Sequence, residues 1–269
     1  DMTGGRGFSV QQGASVELVR GLIDHNHEIG VFANDEGTVV TLKDVAITST
    51  YPQQSNMKGG RGLNVQGGAS VEVVRGRIDH NHEVGILAGS EGTVVLLEDV
   101  AITNTQPEQS DMTAGTGLNV QDGASVEVVR GLLEANHEVG VFVLTGANAT
   151  LRHITVTDTR QTPCSFSDGT CEGFLGSGIV LTEQASLVLE DFLITGSALA
   201  GLQIIDAPDI QATRGVIRDN VIGVNVQDTE LDLTEAFVDV QSFDNENDFD
   251  TQDLPVPSAA EVLDSLDGD

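Results

Sequence analysis

The sequence predicts an all-β solenoid, in which short strands wind into a coil of stacked turns. One phrase returns at an interval of 55 residues: Arg6-Gly-Phe-Ser-Val10, Arg61-Gly-Leu-Asn-Val65 and Thr116-Gly-Leu-Asn-Val120. Inside each repeat a shorter pattern places aliphatic residues at positions 1, 3, 6 and 8 and a small polar residue at position 11. A fixed period of this length is typical of a stacked array, so the repeat decides the fold class.

Each 55-residue unit contains two turns of the coil, which we call rungs. The template matches nine segments, at residues 16–26, 40–50, 71–81, 95–105, 126–136, 149–159, 187–197, 210–220 and, more weakly, 231–241. A further short alternating strand precedes each match, as Leu63 and Val65 do for the third. Alternation at period two puts these side chains on one face. We therefore expect nine rungs of three short strands around an aliphatic interior.

Asparagine marks the corner at the end of several rungs. The four positions are Asn26, Asn81, Asn136 and Asn220. Asparagine tolerates unusual backbone angles, and its amide can bond to neighbouring turns of a coil. We expect these residues to be structural.

The Gly-x-x-Val, Ala-Ser-Val-Glu and Asn-His-Glu-Val-Gly phrases carry a family resemblance over about residues 5–241. In them the chain resembles the right-handed parallel β-helix repeat proteins, the superfamily that includes pectate lyases. It is most similar to secreted bacterial β-helix proteins of unassigned function. The resemblance implies a parallel β-helix over residues 1–243, with double-rung repeats at 6–60, 61–115 and 116–177. It also implies an extracellular or bacterial cell-surface location.

The spacing between rungs predicts lateral loops at one corner of the coil. Ile23 and Ile47 are 24 residues apart, whereas Ile47 and Ile78 are 31 apart, and this alternation continues. The extra residues fall at 51–60, 106–115 and 160–177. Loops on a rigid scaffold are natural recognition sites, although tolerated insertions are the alternative. The candidate ligand-binding residues are Tyr51, Gln54, Gln106, Gln109 and Phe166.

Charge and cysteine content limit the partners. The chain has 42 acidic and 12 basic residues, a formal charge of −30, which disfavours nucleic acid and anionic membranes as partners. A saline or calcium-containing exterior would screen this charge, while selection for solubility alone is the alternative. Cys164 and Cys171 lie close together in a polar loop and predict a local disulfide, unless the two thiols are free. No apolar run approaches the roughly 18 residues of a membrane span.

The two ends carry further predictions. The opening Asp1-Met-Thr-Gly-Gly-Arg-Gly7 matches residues 111–117, so further repeats are expected before it in a longer chain. Residues 244–269 form an acidic tail, in which Ser258-Ala-Ala-Glu261 resembles a capping box and predicts a short helix through about Leu266. Such a helix would lay Val262 over the last rung, whereas a linker to another domain is the alternative.

A histidine and carboxylate motif is the candidate for catalysis. Asp24-His25-Asn26-His27-Glu28 recurs at 79–83 and, with an alanine at the second position, at 134–138. Copies two rungs apart stand about 9.6 Å from each other, too far to share a metal ion but close to the carboxylate separation of inverting glycosidases. The alternative catalytic set is therefore Asp24, Asp79, His80 and Glu134. Scaffold periodicity explains this spacing equally well.

Two further sets of charged residues carry predictions. Arg20, Arg75 and Arg130 lie near Glu17, Glu72 and Glu127 in sequence and predict a solvated ladder of alternating charge. Asp244, Asp248 and Asp250 supply hard oxygen ligands that suit calcium, although no known calcium motif is present.

These observations favour a cell-surface or secreted β-helix without catalytic activity. It would be a rigid acidic scaffold or adhesin-like module that binds a surface protein or glycan through its lateral loops, without a cofactor unless calcium binds. The alternative is a polysaccharide lyase or glycoside hydrolase of the pectate-lyase-like superfamily.

Overall fold

The computed structural model describes residues 5–110, 112–163, 174–207, 209–227 and 231–262. In this part of the chain the strands stack as two long sheets, in which neighbouring strands are parallel. Sheet A has ten strands: β1 (Gly5–Val10), β4 (Glu28–Ala33), β7 (Arg61–Val65), β9 (Val84–Ala88), β11 (Thr116–Val120), β13 (Val139–Val143), β17 (Ser177–Thr182), β19 (Ala200–Ile205), β21 (Ile222–Gln227) and β23 (Asn247–Asp250).

Sheet B forms the rest of the coil and has eleven strands in the described residues. They are β2 (Ser15–Val19), β3 (Leu22–Asp24), β5 (Val39–Lys43), β6 (Ala46–Thr48), β8 (Ser70–Asp79), β10 (Val94–Thr103), β12 (Ser125–Glu134), β14 (Asn148–Thr157), β18 (Ser186–Thr195), β20 (Asp209–Arg218) and β22 (Phe237–Phe243). Outside the two sheets, β15 (Thr162–Pro163) pairs antiparallel with β16 (Phe174–Leu175), and α1 (Leu233–Ala236) precedes β22. The predicted all-β parallel β-helix is confirmed.

The second and third strands predicted for each rung are the two arms of one bent strand. β8, β10 and β12 each run for ten residues and bend at a residue with left-handed backbone angles: Arg75 (φ 54°), Asp99 (φ 55°) and Arg130 (φ 58°). In the first two rungs the same bend separates β2 from β3 and β5 from β6. The helix described in this part of the chain is only four residues long, and none there is long and apolar enough to cross a membrane.

The coil interior is a single aliphatic stack. Leu42, Leu63, Ile78, Ile86 and Leu118 are among its fully buried members. The strands of successive rungs pair in parallel and in register, so equivalent residues are neighbours: Ile47 pairs with Ile78, and Ile78 with Ile102. Aliphatic side chains therefore lie above one another in this column from Ile23 to Ile217.

Asparagine amides close one corner of the stack, as predicted. The Asn81 side chain accepts from the Thr50 backbone N–H at 3.0 Å and donates to the Ile47 carbonyl at 3.2 Å. Asn136 makes the same pair of bonds to Thr105 and Ile102, one repeat further on. Each amide thus satisfies backbone groups of the preceding rung where the chain turns and the sheet ladder is interrupted.

The sequence template predicts the ninth rung four residues too early, and this prediction is wrong. The template equated Asn220 with Gln241, but Asn245 is its equivalent, because Asn245 Oδ1 accepts from the Asn220 N–H at 3.0 Å. The helix α1 takes up residues 233–236, and the strand begins only at Phe237. Val238, the expected core anchor, is consequently 50% exposed. The coil also continues past residue 243, since β23 pairs with β21.

The helix predicted from Ser258 does not begin there. Residues 258–262 are not helical, and Val262 lies against Gly89 in β-helix turns far from the last rung. Leu263 and Leu266 lie outside the described residues. The tail runs back along the coil instead of capping its end.

A glycine in each rung allows the coil to close, and Gly85 provides a stability test. A Cβ at Gly85 would lie 2.6 Å from the Gly117 carbonyl oxygen and 2.7 Å from Ile102 Cγ2. We expect Gly85→Ala to lower the free energy of unfolding by about 3 kcal/mol, at the upper end for overpacking. The control is Gly146→Ala, where a Cβ meets nothing within 4 Å and only the positive φ of 68° costs about 1 kcal/mol. Equal losses in urea denaturation would contradict the steric account.

Candidate functional site

The three insertions emerge at one edge of the coil, where the chain passes from sheet B into sheet A. Residues 51–60 precede β7, residues 106–115 precede β11, and the third insertion precedes β17. Between them, rungs without insertions contribute His27, His82 and His137 at the same corner. We call this surface the loop edge. Cys164, Phe166 and Cys171 lie outside the described residues, so the predicted disulfide and the contact assigned to Phe166 remain predictions.

Tyr51 is packed between histidines of neighbouring rungs. Its ring centroid lies 5.8 Å from that of His27 and 5.7 Å from that of His82, and His25 lies 5.7 Å away on the outer side. Backbone bridges join His27 to Tyr51 and His82 to Gln106. The half-buried tyrosine is therefore held in place by the scaffold at the base of the first loop.

Each histidine of this column is oriented by a backbone carbonyl. His82 Nδ1 lies 3.0 Å from the Thr50 oxygen, and His137 Nδ1 lies 2.8 Å from the Thr105 oxygen. A carbonyl can only accept, so Nδ1 carries the proton and Nε2 is the acceptor in the neutral ring. Burial lowers the pKa of both His82 and His137, against the opposing effect of these hydrogen bonds.

The first two loops are joined to each other and to this column. The Gly59 N–H donates to Glu108 Oε1 at 2.9 Å, and the exposed Gln109 amide lies 3.4 Å from His82 Nε2. Gln106 donates to the Asn104 carbonyl at 2.8 Å, while Gln54 lies exposed in the first loop. Four of the five predicted ligand-binding residues thus belong to one surface.

The carboxylates proposed as the alternative catalytic set are engaged by their neighbours. Asp24 accepts from the Thr48 hydroxyl at 2.7 Å, and this bond lowers its pKa. Asp79 is buried, which tends to raise its pKa, but bonds from Thr103, His80 and Asn104 outweigh burial and lower it. Arg77 also contacts Asp79. Glu134 is exposed, with the buried Ala135 beside it in place of the histidine.

The charge ladder exists, but its partners differ from those expected. Arg75 donates to Asp44 at 2.6 Å, and Arg130 donates to Asp99 at 2.6 Å, because these residues occupy the same bend of adjacent rungs. Glu17 pairs instead with Lys43, at 2.8 Å. These contacts are solvent-exposed and contribute little stability individually.

The acidic residues suggested for calcium lie near the end of the coil. Asp248 Oδ1 accepts from the Asn245 amide at 2.9 Å, and Asp250 Oδ1 accepts from the Thr251 and Gln252 N–H groups at 2.7 and 3.0 Å. Asp244 lies at a bend with φ 58°. Among the described residues, no group of three or more His, Cys, Asp or Glu side chains could hold a metal ion.

The outer face of sheet A is a second surface with site-like properties. One column of outward positions crosses the middle of the sheet, and its members pair in register: Phe32, Asn64, Leu87, Asn119, Phe142, Val180, Gln203 and Asn225. All eight are at most 1% exposed. In sheet B, by contrast, buried inward residues alternate with more exposed outward residues along β8 and β10. An outer face this deeply buried is covered by another part of the molecule.

Residues 252–262, which we call the strap, lie across this face. The Asn225 amide donates to the Gln252 carbonyl at 3.0 Å, and Gln203 donates to the Pro255 carbonyl at 3.2 Å. Val256 packs against a small apolar cluster on the outer face, formed by Val139, Phe142, Leu144, Val180 and Ile205. The Gln121 amide then donates to the Ala260 carbonyl at 2.8 Å.

At Glu261 the strap meets a buried ion pair. Arg61 Nε donates to Glu83 Oε2 at 2.8 Å, and Arg61 Nη1 donates to the Glu261 carbonyl at 2.6 Å. Although burial opposes the charged guanidinium, the charge of Glu83 and its hydrogen bonds outweigh that effect and raise the pKa of Arg61. Since Arg61 follows the first loop directly, the loop edge and the covered face meet at this residue.

Comparison with known proteins places the chain in a family. Residues 6–163, more than half of the chain, match the family described as the right handed beta helix region. The protein therefore belongs to the right-handed β-helix family, as the resemblance implied. No curated protein and no solved structure matches the chain.

The candidate set from the sequence contained one histidine of the repeated motif, His80, whereas the inner histidines His27, His82 and His137 form the loop-edge column. Their strict recurrence at 55 residues was a usable signal. The strap left no such signal, since its contacts use backbone carbonyls that any residue carries.

The lowered pKa of His82 leads to a prediction on acid titration. The neutral form is favoured in the folded protein, so the stability this residue contributes is present above its unfolded pKa of about 6.5 and is lost as the pH falls through the lower folded pKa. We expect NMR titration to show a lower midpoint for His82 in the folded protein than in urea. A double variant His82→Gln and His137→Gln should lose less stability between pH 6.5 and 5. A folded midpoint at or above the unfolded one would contradict this account.

Proposed function

We propose that this protein is a non-catalytic binding module at a cell surface or in the extracellular space, which recognises a surface glycan or protein through its loop edge. One observation carries the proposal. Tyr51 is held between His27 and His82 at the base of loops that are themselves joined by the Gly59–Glu108 hydrogen bond. A rigid aromatic ring with nearby exposed amides presents apolar area and hydrogen-bonding groups at a low cost in conformational entropy.

The charge of the coil agrees with an extracellular binding role. A formal charge of −30 on 269 residues opposes association with nucleic acid and with anionic membranes. A neutral glycan or a basic protein surface meets no such repulsion at the loop edge. The lysines are few, and Lys58 lies exposed in the first loop.

The contacts of the repeated carboxylates count against the polysaccharide lyase or hydrolase alternative. Both copies of the aspartate, Asp24 and Asp79, accept a hydrogen bond from a threonine hydroxyl of the next rung. Hydrogen bonds to the ionised form favour it and lower the pKa, whereas a general acid requires a raised pKa. The recurrence of the same arrangement in two rungs fits a role in the scaffold.

Binding through the loop edge can be tested with variants in the full chain. A screen of purified glycans and cell-surface proteins identifies the ligand. We then expect Gln109→Ala to weaken binding about tenfold, since one net hydrogen bond of about 1.4 kcal/mol is lost. We expect Tyr51→Ala to weaken binding at least as much, and Tyr51→Phe to bind nearly normally.

The matched control is Gln211→Ala, which removes an exposed glutamine from the outer face of sheet B. It should leave the affinity unchanged. A ligand whose affinity responds to Gln211→Ala, but not to Gln109→Ala or Tyr51→Ala, would overturn the assignment of the loop edge.

The enzyme alternative is tested by turnover. On a panel of acidic and neutral polysaccharides, with and without calcium, we expect no cleavage above the buffer rate, as measured by released reducing ends and by absorbance of unsaturated products. The relevant variant is Asp79→Asn, with Asp44→Asn in the exposed charge ladder as its control. Turnover that is abolished by Asp79→Asn and retained by Asp44→Asn would show that the protein is an enzyme.

A further inference from the structure

We propose that the outer face of sheet A is a groove that binds an extended polypeptide, and that the strap is an intramolecular occupant of this groove. The site is distinct from the loop edge and does not depend on the function proposed above. The strap covers the ligand surface in the chain as it stands, and a partner segment gains access when the strap leaves.

The contacts of the strap are of the kind that recognise a polypeptide main chain. Four side chains donate to backbone carbonyls of the strap: Asn225 in β21, Gln203 in β19, Arg61 in β7 and Gln121 directly after β11. Every polypeptide has such carbonyls, so these bonds do not depend on the sequence of the occupant. Recognition of side chains is limited to the apolar cluster beneath Val256.

The dimensions of the groove suit an extended segment. In the described residues the strap passes from β21 to β7, which are six strand spacings apart in the order of sheet A, or about 29 Å. Residues 252–262, fully extended, would span at most about 36 Å. The occupant therefore crosses the strands in a nearly extended conformation, with an aliphatic residue near its centre.

The strap leaves some of the groove's hydrogen-bonding capacity unused. Asn64 Oδ1, Asn119 Oδ1 and Gln121 Oε1 are buried and accept no hydrogen bond. All three residues are at most 3% exposed; Asn64 and Asn119 lie on the outer face of sheet A, and Gln121 directly follows β11. Pro255 and Pro257 have no N–H to offer, and no other strap N–H reaches these oxygens. A segment that places N–H donors there would satisfy acceptors that now cost stability.

Charge also makes the strap a weak occupant. Asp253 adds negative charge within a protein whose formal charge is −30, whereas the charge of Glu261 is favourable beside Arg61. A partner segment without an acidic residue at the position of Asp253 avoids this repulsion. The chemistry of the groove thus fits an extended polypeptide with a central aliphatic residue, free backbone N–H groups and no negative charge at its amino-terminal end.

The proposal can be tested on the full chain with a specific protease site inserted after the exposed Thr251. The protein is folded, cleaved and dialysed, and circular dichroism verifies that the coil remains. The probe is a fluorescent peptide with the sequence of residues 252–262, and its binding is followed by anisotropy. We expect saturable binding to the cleaved protein and at least tenfold weaker binding to the uncleaved protein, since a tethered strap competes at a high effective concentration.

Variants of the peptide and of the groove test the chemistry. A peptide with Val256→Asp should bind at least tenfold more weakly, and one with Asp253→Asn severalfold more tightly. In the cleaved protein Gln121→Leu should weaken binding, while Gln211→Leu, on the outer face of sheet B, should not.

Three results would overturn the proposal. The cleaved strap could remain bound through dialysis and resist exchange, which would make it a fixed part of the coil. The probe could bind cleaved and uncleaved protein equally, or bind regardless of Val256→Asp. Finally, a neutral oligosaccharide could bind the cleaved protein where the peptide does not, which would assign the groove to glycans.

Discussion

The corner where the asparagine amide of one rung bonds to the backbone of the rung before it is the constraint on which the rest of the structure depends. Along the strands, parallel pairing satisfies the backbone, but at the corner the chain turns away from its neighbour and those bonds would be lost. The Asn81 amide supplies both a donor and an acceptor there.

The same corner admits no side chain at Gly62, where a Cβ would lie 2.8 Å from Asn81 Nδ2. Asparagine and glycine therefore recur together, and this pairing fixes both the period and the register. Added residues can only leave the coil sideways, which is why the insertions form lateral loops.

Fixed register has a second consequence for a protein with so much negative charge. Residues at equivalent positions stand about 4.8 Å apart, so an acidic column would repel itself along the whole coil. At the bend of sheet B the sequence avoids this by alternating sign, with Asp44 beside Arg75 and Asp99 beside Arg130. In the column that contains Asp24 and Asp79, threonines alternate with the acidic residues. Thr48 donates a hydrogen bond to Asp24, and Thr103 donates one to Asp79. The histidine and carboxylate motif that suggests catalysis is thus part of the same arrangement. Its recurrence follows from the requirements of stacking.

The sequence was sufficient to predict what recurs and insufficient for what does not. The spacing of the first eight rungs, the corner asparagines and the positions of the first two lateral loops follow from local patterns, and the structure agrees with them. The ninth rung was misplaced because residues 231–241 match the aliphatic template, although more weakly than the other segments. The two registers are distinguished by contacts in the structure, the pairing of Ile217 with Ser242 and the bond between Asn220 and Asn245. Ser258-Ala-Ala-Glu261 has the residues of a capping box, but the groove of sheet A binds this segment in a non-helical form, so tertiary contacts override a local preference. Nor could alternation reveal that Asn64 is buried, since an outward polar residue in a strand is normally solvated.

Divergence among the three repeats explains how the strap is held in position on sheet A. Backbone carbonyls are equivalent, so hydrogen bonds to them alone would allow the strap to slide along the sheet. Near Glu261 its position is fixed by two residues of the second repeat. Arg61 forms a buried, bidentate pair with Glu83, whereas its counterparts are Arg6, which lies 3.9 Å from Glu28, and Thr116, which has no charge. Gly89 leaves room for Val262, whereas its counterparts Asn34 and Leu144 carry side chains that would fill that space. The second repeat thus differs from the other two in a charged arginine within a buried ion pair and in a glycine where the others carry a side chain. The departures from the repeat, more than the repeat itself, define the covered face as a specific site.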